Sequence, residues 1–263
     1  MNIVAVSQIN GISIYYEVKG QGTPIFFIHP PVLSSISFYH QIEGLSDDFM
    51  TIRFDIRGHG RSGPSKVPLT YPRIVEDIRQ LMDLLEIKKA YLCGYSTGGS
   101  IALEFLLTYP EKALGGIVVG GISEVHDLRL VGRICLGITL AKLWAIQPLA
   151  LSLAWSNSDS QDLRSKTFKD SKQGNPLNVE QYYRSSLHYN CTDRLSSVHL
   201  PVLLVYGAKD KEFHSYGHLL HKNLPHSELL IIPNVKHQIP TKASNNLNDC
   251  IKQFINTHSL QPN

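Results

Sequence analysis

The stretch Gly94-Tyr95-Ser96-Thr97-Gly98-Gly99 constrains this chain more than any other. An apolar run, Lys89 to Cys93, leads into it, and a helical pattern follows through Ile101, Leu103, Phe105, Leu106 and Leu107 to Tyr109-Pro110. A strand that turns sharply into a helix at Gly-x-Ser-x-Gly is the setting of a nucleophile elbow. The turn holds the serine in a strained backbone conformation, so the side chains around it must be small. Gly94 and Gly98 meet that need, and Gly99 lets the helix approach the sheet closely. Ser96 then stands at a helix N-terminus, where unpaired N–H groups and the dipole favour developing negative charge. The competing reading is a glycine-rich turn of a nucleotide-binding fold, but the Gly-x-Gly-x-x-Gly signature of such turns is absent.

The rest of the chain builds a sheet around that turn. Two apolar or alternating runs, Ile3–Gln8 and Ile12–Val18, flank Asn10-Gly11, a strong hairpin signal. Short buried strands are expected at Pro24–Ile28, Met50–Phe54 and Ala113–Val119, with helices at Phe38–Leu45 and Arg73–Leu85. Strands alternating with helices at these lengths predict a mostly parallel sheet covered on both faces. From Glu124 to Tyr189 the alternation stops and the pattern is helical throughout. It resumes with a strand at Pro201–Tyr206, a helix at Phe213–Asn223, a strand at Glu228–Ile232 and a helix at Ala243–Phe254. The helical block is therefore an insertion between two strands of one sheet. The division predicted is a core of residues 1–121 and 192–263 with a helical cap, 122–191, inserted after the sixth strand.

The chain has 263 residues, 43% of them hydrophobic and 18% charged, with a net charge of +3, which suits one globular domain. The positive charges are scattered, which argues against a nucleic-acid partner. Cys93, Cys135, Cys191 and Cys250 are widely spaced without a Cys-x-x-Cys, as in a reducing compartment. Met1 to Asn10 carries no signal-peptide pattern, and a cytoplasmic location is expected. Between Ile134 and Trp155 the only charge is Lys142. Lys142 and Gln147-Pro148 interrupt that run, so it is read as two apolar helices broken near Pro148 rather than a membrane span.

A serine hydroxyl needs a base to take its proton and a third group to orient the base. In an open parallel sheet such groups gather just past the carboxyl ends of strands. Gly207-Ala208-Lys209-Asp210 follows one strand end, and Pro233-Asn234-Val235-Lys236-His237 the next. Ser96, Asp210 and His237 thus occur in the order of a serine, acid and histidine set. Together with Ile28-His29, with Asp55-Ile56-Arg57-Gly58-His59-Gly60-Arg61-Ser62 and with the elbow, these pieces make the chain resemble an α/β-hydrolase of the capped esterase or lipase type over nearly its whole length. The resemblance implies Ser96 as nucleophile, His237 as general base and then acid, and Asp210 as the orienting carboxylate, with no cofactor. A haloalkane dehalogenase resembles the same fold but carries aspartate at the elbow. Asp210 has a competing role as a helix cap. Glu124 and Asp127, past another strand end, are the second-ranked acids. His29, His59, Asp55 and Arg57 are read as braces of loops. His214, His218 and His221 share one helical face at a spacing that can bind metal, but without an acidic partner they are read as a polar face, not a metal site.

The resemblance fails in one place. The oxyanion hole should use the Thr97 N–H and a second N–H from the loop after the third strand, where the family usually has His-Gly and then the donor residue. This chain has His29-Pro30-Pro31-Val32, and proline has no N–H. Either Val32 donates from a shifted loop or the hole has one donor fewer, with Ser34 and Ser35 as nearby hydroxyls. The cap, rich in leucine and isoleucine, holds Trp144 and Trp155, so the pocket is expected to be apolar, with Pro31, Tyr95, Trp144 and Trp155 contacting substrate. The activity expected is hydrolysis of carboxylic esters of small to medium apolar molecules. Carbon–carbon bond hydrolysis or a lyase step on the same triad is the alternative. A third reading is a slow-turnover ligand-binding or signalling protein on a hydrolase scaffold.

Overall fold

Asn10 and Gly11 both take left-handed backbone conformations (φ 47° and 80°), the requirement of a two-residue hairpin turn, and close β1 (Asn2–Ile9) onto β2 (Ile12–Lys19) with Ile9 opposite Ile12. The computed structural model describes residues 2–259. After the hairpin come β3 (Pro24–Ile28), α1 (Tyr39–Leu45), β4 (Met50–Phe54), α2 (Tyr71–Leu84), β5 (Ala90–Tyr95), α3 (Thr97–Thr108) and β6 (Ala113–Val119). Four helices follow without a strand: α4 (Leu128–Lys142), α5 (Ile146–Ser156), α6 (Gln161–Ser171) and α7 (Pro176–His188). The sheet is then completed by β7 (Val202–Gly207), α8 (Lys211–Asn223) and β8 (Ser227–Ile232), and the described chain ends with α9 (Ile239–Lys242) and α10 (Ser244–Ser259). The eight strands lie in the order β1-β2-β4-β3-β5-β6-β7-β8, parallel from β4 to β8 and antiparallel where β2 meets β1 and β4.

The parallel strands read as continuous apolar runs because both faces are covered. In β3, Phe26 and Ile28 pack on the face carried by α2, α3 and α8, while Ile25 and Phe27 pack with Phe38 and with Ile42 and Ile251 of α1 and α10. Predicted and observed strand cores agree closely, whereas helix ends shift by one to five residues and one helix break lies elsewhere. The break between α4 and α5 lies at residues 143–145, not at Pro148. Pro148 sits in the first turn of α5, where its missing N–H would have had no intrahelical partner.

The loop after β4 is held by buried charge. The Arg57 guanidinium, fully buried, donates to both oxygens of Asp77 on α2 at 2.6 and 2.5 Å and to Ser65 Oγ at 2.9 Å. Asp55 accepts the Ser35 N–H at 2.9 Å and the Arg61 N–H at 2.8 Å, tying the β3 and β4 loops together. His29 completes the brace. Its Nδ1 bonds the Pro30 carbonyl at 2.9 Å, and its Nε2 accepts the Ile56 N–H at 2.9 Å. Those roles require neutral imidazole, and burial holds the His29 pKa below its ordinary value. His59, packed on His29, is pushed down to about 3, first by burial and then by His29.

Candidate active site

Ser96 sits between β5 and α3 at φ 55° and ψ −126°, a conformation that non-glycine residues rarely adopt. Its neighbours explain how the turn is tolerated. A Cβ on Gly94 would lie 2.1 Å from the Gly98 carbonyl oxygen, and one on Gly98 would lie 2.1 Å from the Ile28 carbonyl oxygen. The turn is pinned by the Ser96 N–H donating to Val119 at 2.8 Å and the Gly99 N–H donating back to Ser96 at 2.9 Å. Thr97 begins α3, so its N–H lies too early in the helix to have an i−4 partner.

His237 and Asp210 arrive from the loops after β8 and β7. His237 Nε2 is 3.0 Å from Ser96 Oγ, and His237 Nδ1 is 2.7 Å from Asp210 Oδ2. Asp210 does occupy the N-cap position of α8, but its side chain makes no capping bond and goes to His237 instead. The imidazole is flanked by Phe213 at 4.2 Å and Tyr95 at 5.4 Å between ring centroids. Gly120, at φ 58°, leaves room on a further side, because a Cβ there would lie 2.9 Å from His237 Cε1. The other acids past β6 are engaged elsewhere. Glu124 accepts from Asn190 and Thr192 at 3.0 and 2.6 Å, and Asp127 caps α4 and accepts from Tyr216 at 2.5 Å. Of the three helical histidines, His214 bonds the Gly207 carbonyl and His221 bonds Ser227, while His218 is exposed.

A cavity of about 410 Å³ opens at Ser96. Pro30, Pro31, Tyr95, Thr97 and Phe213 line it from the core side, and Leu130, Ile134, Leu149, Leu153 and Tyr183 from α4, α5 and α7. Among the described residues that line it, Arg133 is the only arginine, lysine or acidic side chain, and it is ion-paired to Glu212. Asn157 holds the Tyr95 hydroxyl at 2.9 Å. The predicted contacts Pro31 and Tyr95 are in this lining. Trp144 and Trp155 are not: both are exposed, Trp144 in the turn after α4 and Trp155 on the outer side of α5 beneath the Arg164 guanidinium. The expectation that they contact substrate is corrected, because the inner faces of α4 and α5 present leucine and isoleucine instead. Phe213 and Gln238 line the cavity without having been singled out in sequence. Proximity to Asp210 and His237 was the one signal that pointed to them.

The loop after β3 brings both of its prolines to the cavity. Pro30 and Pro31 face the cavity, and neither has an N–H to offer. Val32 takes φ 69°, an outlier for a β-branched residue. Its side chain is buried against Ala141, Ile146, Ala150 and Val179, away from the cavity lining. Ser34 and Ser35 do not line the cavity either; their hydroxyls are buried without a partner. The Tyr182 hydroxyl of α7 donates to the His29 carbonyl at 2.8 Å and fastens this loop to the inserted helices.

Comparison with known proteins agrees with this architecture. The chain is 27% identical over 259 residues to the mouse serine hydrolase BPHL, covering 94% of this chain and 84% of that protein. It is 24% identical over 232 residues to a putative 2-succinyl-6-hydroxy-2,4-cyclohexadiene-1-carboxylate synthase of Bacillus subtilis, covering 81% and 84%. Among solved structures, an esterase from Exiguobacterium antarcticum superposes with a TM-score of 0.85 at 19% identity, covering 97% of this chain and all of that one. The model of the α/β hydrolase fold matches residues 23–240, and with the eight-stranded sheet and the strand–turn–helix at Ser96 this makes the chain a member of the α/β hydrolase fold family.

Proposed function

We propose that this protein is a serine hydrolase that cleaves carboxylic esters of small to medium apolar molecules through an acyl-enzyme on Ser96. The observation that carries the proposal is the hydrogen-bonded chain Ser96–His237–Asp210, at 3.0 and 2.7 Å, opening onto an apolar cavity. Ser96 Oγ attacks the carbonyl carbon as His237 Nε2 takes its proton, and the Asp210 carboxylate holds Nδ1–H and offsets the imidazolium charge. His237 then protonates the leaving alcohol. Water repeats the sequence in reverse roles and releases the acid. The oxyanion is stabilised by the Thr97 N–H at the start of α3, with the Val32 N–H as the second donor if the loop shifts on binding. Residues 122–191 act as the cap that covers Ser96 and selects the acyl or alcohol portion. A cavity of about 410 Å³ falls within the roughly 300–1,000 Å³ of small-molecule sites.

Burst-phase kinetics on p-nitrophenyl esters of increasing chain length, with Ser96→Ala as control, test the proposal. A burst that requires Ser96 and has a chain-length optimum supports it; equal turnover by the variant contradicts it. The missing donor at Pro31 favours one second reading, carbon–carbon bond cleavage or a lyase step on the same three residues. Turnover of diketones with none of esters would replace the first reading with that one.

A further inference from the structure

The outward side of α4 and α5 is built the wrong way round for a surface facing only water. The buried side of α4 is Leu130, Ile134, Gly137 and Ala141. At about 100° per residue the stripe opposite it contains Leu128, Leu136 and Leu143, with Gly132 and Thr139 between them, within an arc of roughly 80°. Those leucines are 88%, 59% and 70% exposed. On α5 the outer positions are Leu151 and Trp155, the latter 58% exposed. An ordinary surface helix carries charged or polar groups there.

Trp144 joins the two helices and is the least expected residue of the set. The Trp144 N–H donates to Ala141 and the Ala145 N–H to Leu140, at 3.0 and 2.9 Å, the paired bonds of a Schellman helix end. Its central residue must be left-handed and is usually glycine; here it is Trp144 at φ 58°, with 77% of its surface exposed. The fold gains neither backbone relief nor burial from a tryptophan at this point. Scattered exposed apolar residues need no explanation, but four leucines and two tryptophans exposed on two consecutive helices and their turn indicate a partner.

Charge indicates which partner. From Leu128 to Ser156 the chain contains Arg129, Arg133 and Lys142 and no acidic residue. Glu212 of α8 pairs with both arginines and offsets one positive charge. Lys142 makes no ion pair among the described residues, and Arg164 lies 3.6 Å from the Trp155 ring centroid. A second copy docked by the same face would set cations against cations with no acids in these helices to meet them. An anionic bilayer surface supplies both missing partners, an acyl region for leucine and tryptophan and phosphates for the cations. No described helix is long and apolar enough to cross a membrane, so the contact is one of lying on the surface.

We infer that the α4–α5 face docks on an anionic phospholipid surface, with Leu143 and Trp144 entering the headgroup–acyl boundary. The cavity at Ser96 opens on this side, since the exposed residues Arg133, Leu136, Ser152 and Ser156 belong to its lining. An ester dissolved in the bilayer then reaches Ser96 without crossing water; that consequence, unlike the docking, rests on the hydrolase reading above.

The chain has two tryptophans, and both lie on this face, so selectively excited tryptophan emission reports on it alone. The test is co-sedimentation and tryptophan emission with vesicles of phosphatidylglycerol and phosphatidylcholine mixed one to three, against pure phosphatidylcholine, at low and high salt. The expected result is binding to the mixed vesicles that weakens with salt, with blue-shifted emission protected from iodide. Trp144→Gly should lower the partition coefficient about tenfold, the order of one large apolar side chain removed from the interface, while raising the thermal midpoint by relieving the left-handed strain. Lys142→Gln should lower it about fivefold. Absence of binding to the mixed vesicles, or binding indifferent to both substitutions, overturns the inference. So does a lipid-free dimer in sedimentation velocity whose tryptophan emission is already protected from iodide.

Discussion

Replacing Pro31 by alanine should make the enzyme faster. Pro31 stands where the family's second oxyanion donor is expected, lines the cavity beside Ser96 and Thr97, and has no N–H. Alanine restores that N–H without adding the freedom of glycine. One oxyanion-hole donor is worth about 2.7–4 kcal/mol of transition-state stabilisation, or roughly 10²–10³ in kcat. A donor inserted into a loop not shaped for it should recover part of that, about tenfold to a hundredfold. The fold should lose little, since removing a proline loosens mainly the unfolded chain, at a cost below about 1 kcal/mol. The assay is steady-state hydrolysis of the best p-nitrophenyl ester by wild type and Pro31→Ala, with thermal midpoints measured alongside. A rise in kcat at nearly constant KM is expected, because the bond forms only as the oxyanion develops. If kcat stays level or falls while the midpoint is unchanged, position 31 does not face the oxyanion, and the second donor lies elsewhere.

Three further outcomes follow from the same geometry. Asp210→Asn should keep the fold and lower kcat by roughly 10⁴, as expected when an orienting carboxylate is lost and the histidine tautomer is no longer fixed; ester hydrolysis and circular dichroism check this. Gly120→Ala places a methyl 2.9 Å from His237 Cε1 at a left-handed position, so kcat should fall about 10²-fold or more through displacement of the imidazole, read in the same assay. His59 is neutral in the fold, with a pKa near 3 against an ordinary 6.5, so between those values the unfolded chain binds a proton that the native state refuses. Stability should therefore be full above about pH 6.5 and fall on acidification by about 1.4 kcal/mol per pH unit for this group; urea midpoints from pH 7 to 5 should show a shallower slope in His59→Asn.

Much of this was legible in the chain because its signals are local. The elbow is a contiguous motif in which a Cβ on Gly94 or Gly98 would lie 2.1 Å from a backbone carbonyl oxygen, and Asp210 and His237 follow strand ends recognisable from their apolar runs. At Asp210 the carboxylate reaches His237 rather than the α8 backbone, a choice of partner that the helix-cap pattern alone left open. What the sequence could not convey is which way the inserted helices face. α4 is apolar on two opposite sides, so periodicity did not distinguish Leu130 and Ile134, at the cavity, from Leu128 and Leu143, turned outward. Trp144 and Trp155, expected at the pocket because they belong to the segment that covers Ser96, are turned outward by the tertiary arrangement. Phe213 lies tilted against the His237 ring, with the rest of α8 and all of β8 between them in the chain, a contact that no local pattern encodes.

The central claim is that Ser96 forms a covalent intermediate with the help of His237. The most direct measurement is mass spectrometry of the protein after brief treatment with a fluorophosphonate, with peptide mapping of the adduct. Stoichiometric labelling on Ser96, abolished in Ser96→Ala and strongly slowed in His237→Ala, is the predicted result. Labelling at another residue, or a Ser96 that reacts no faster when His237 is present than when it is absent, would contradict it.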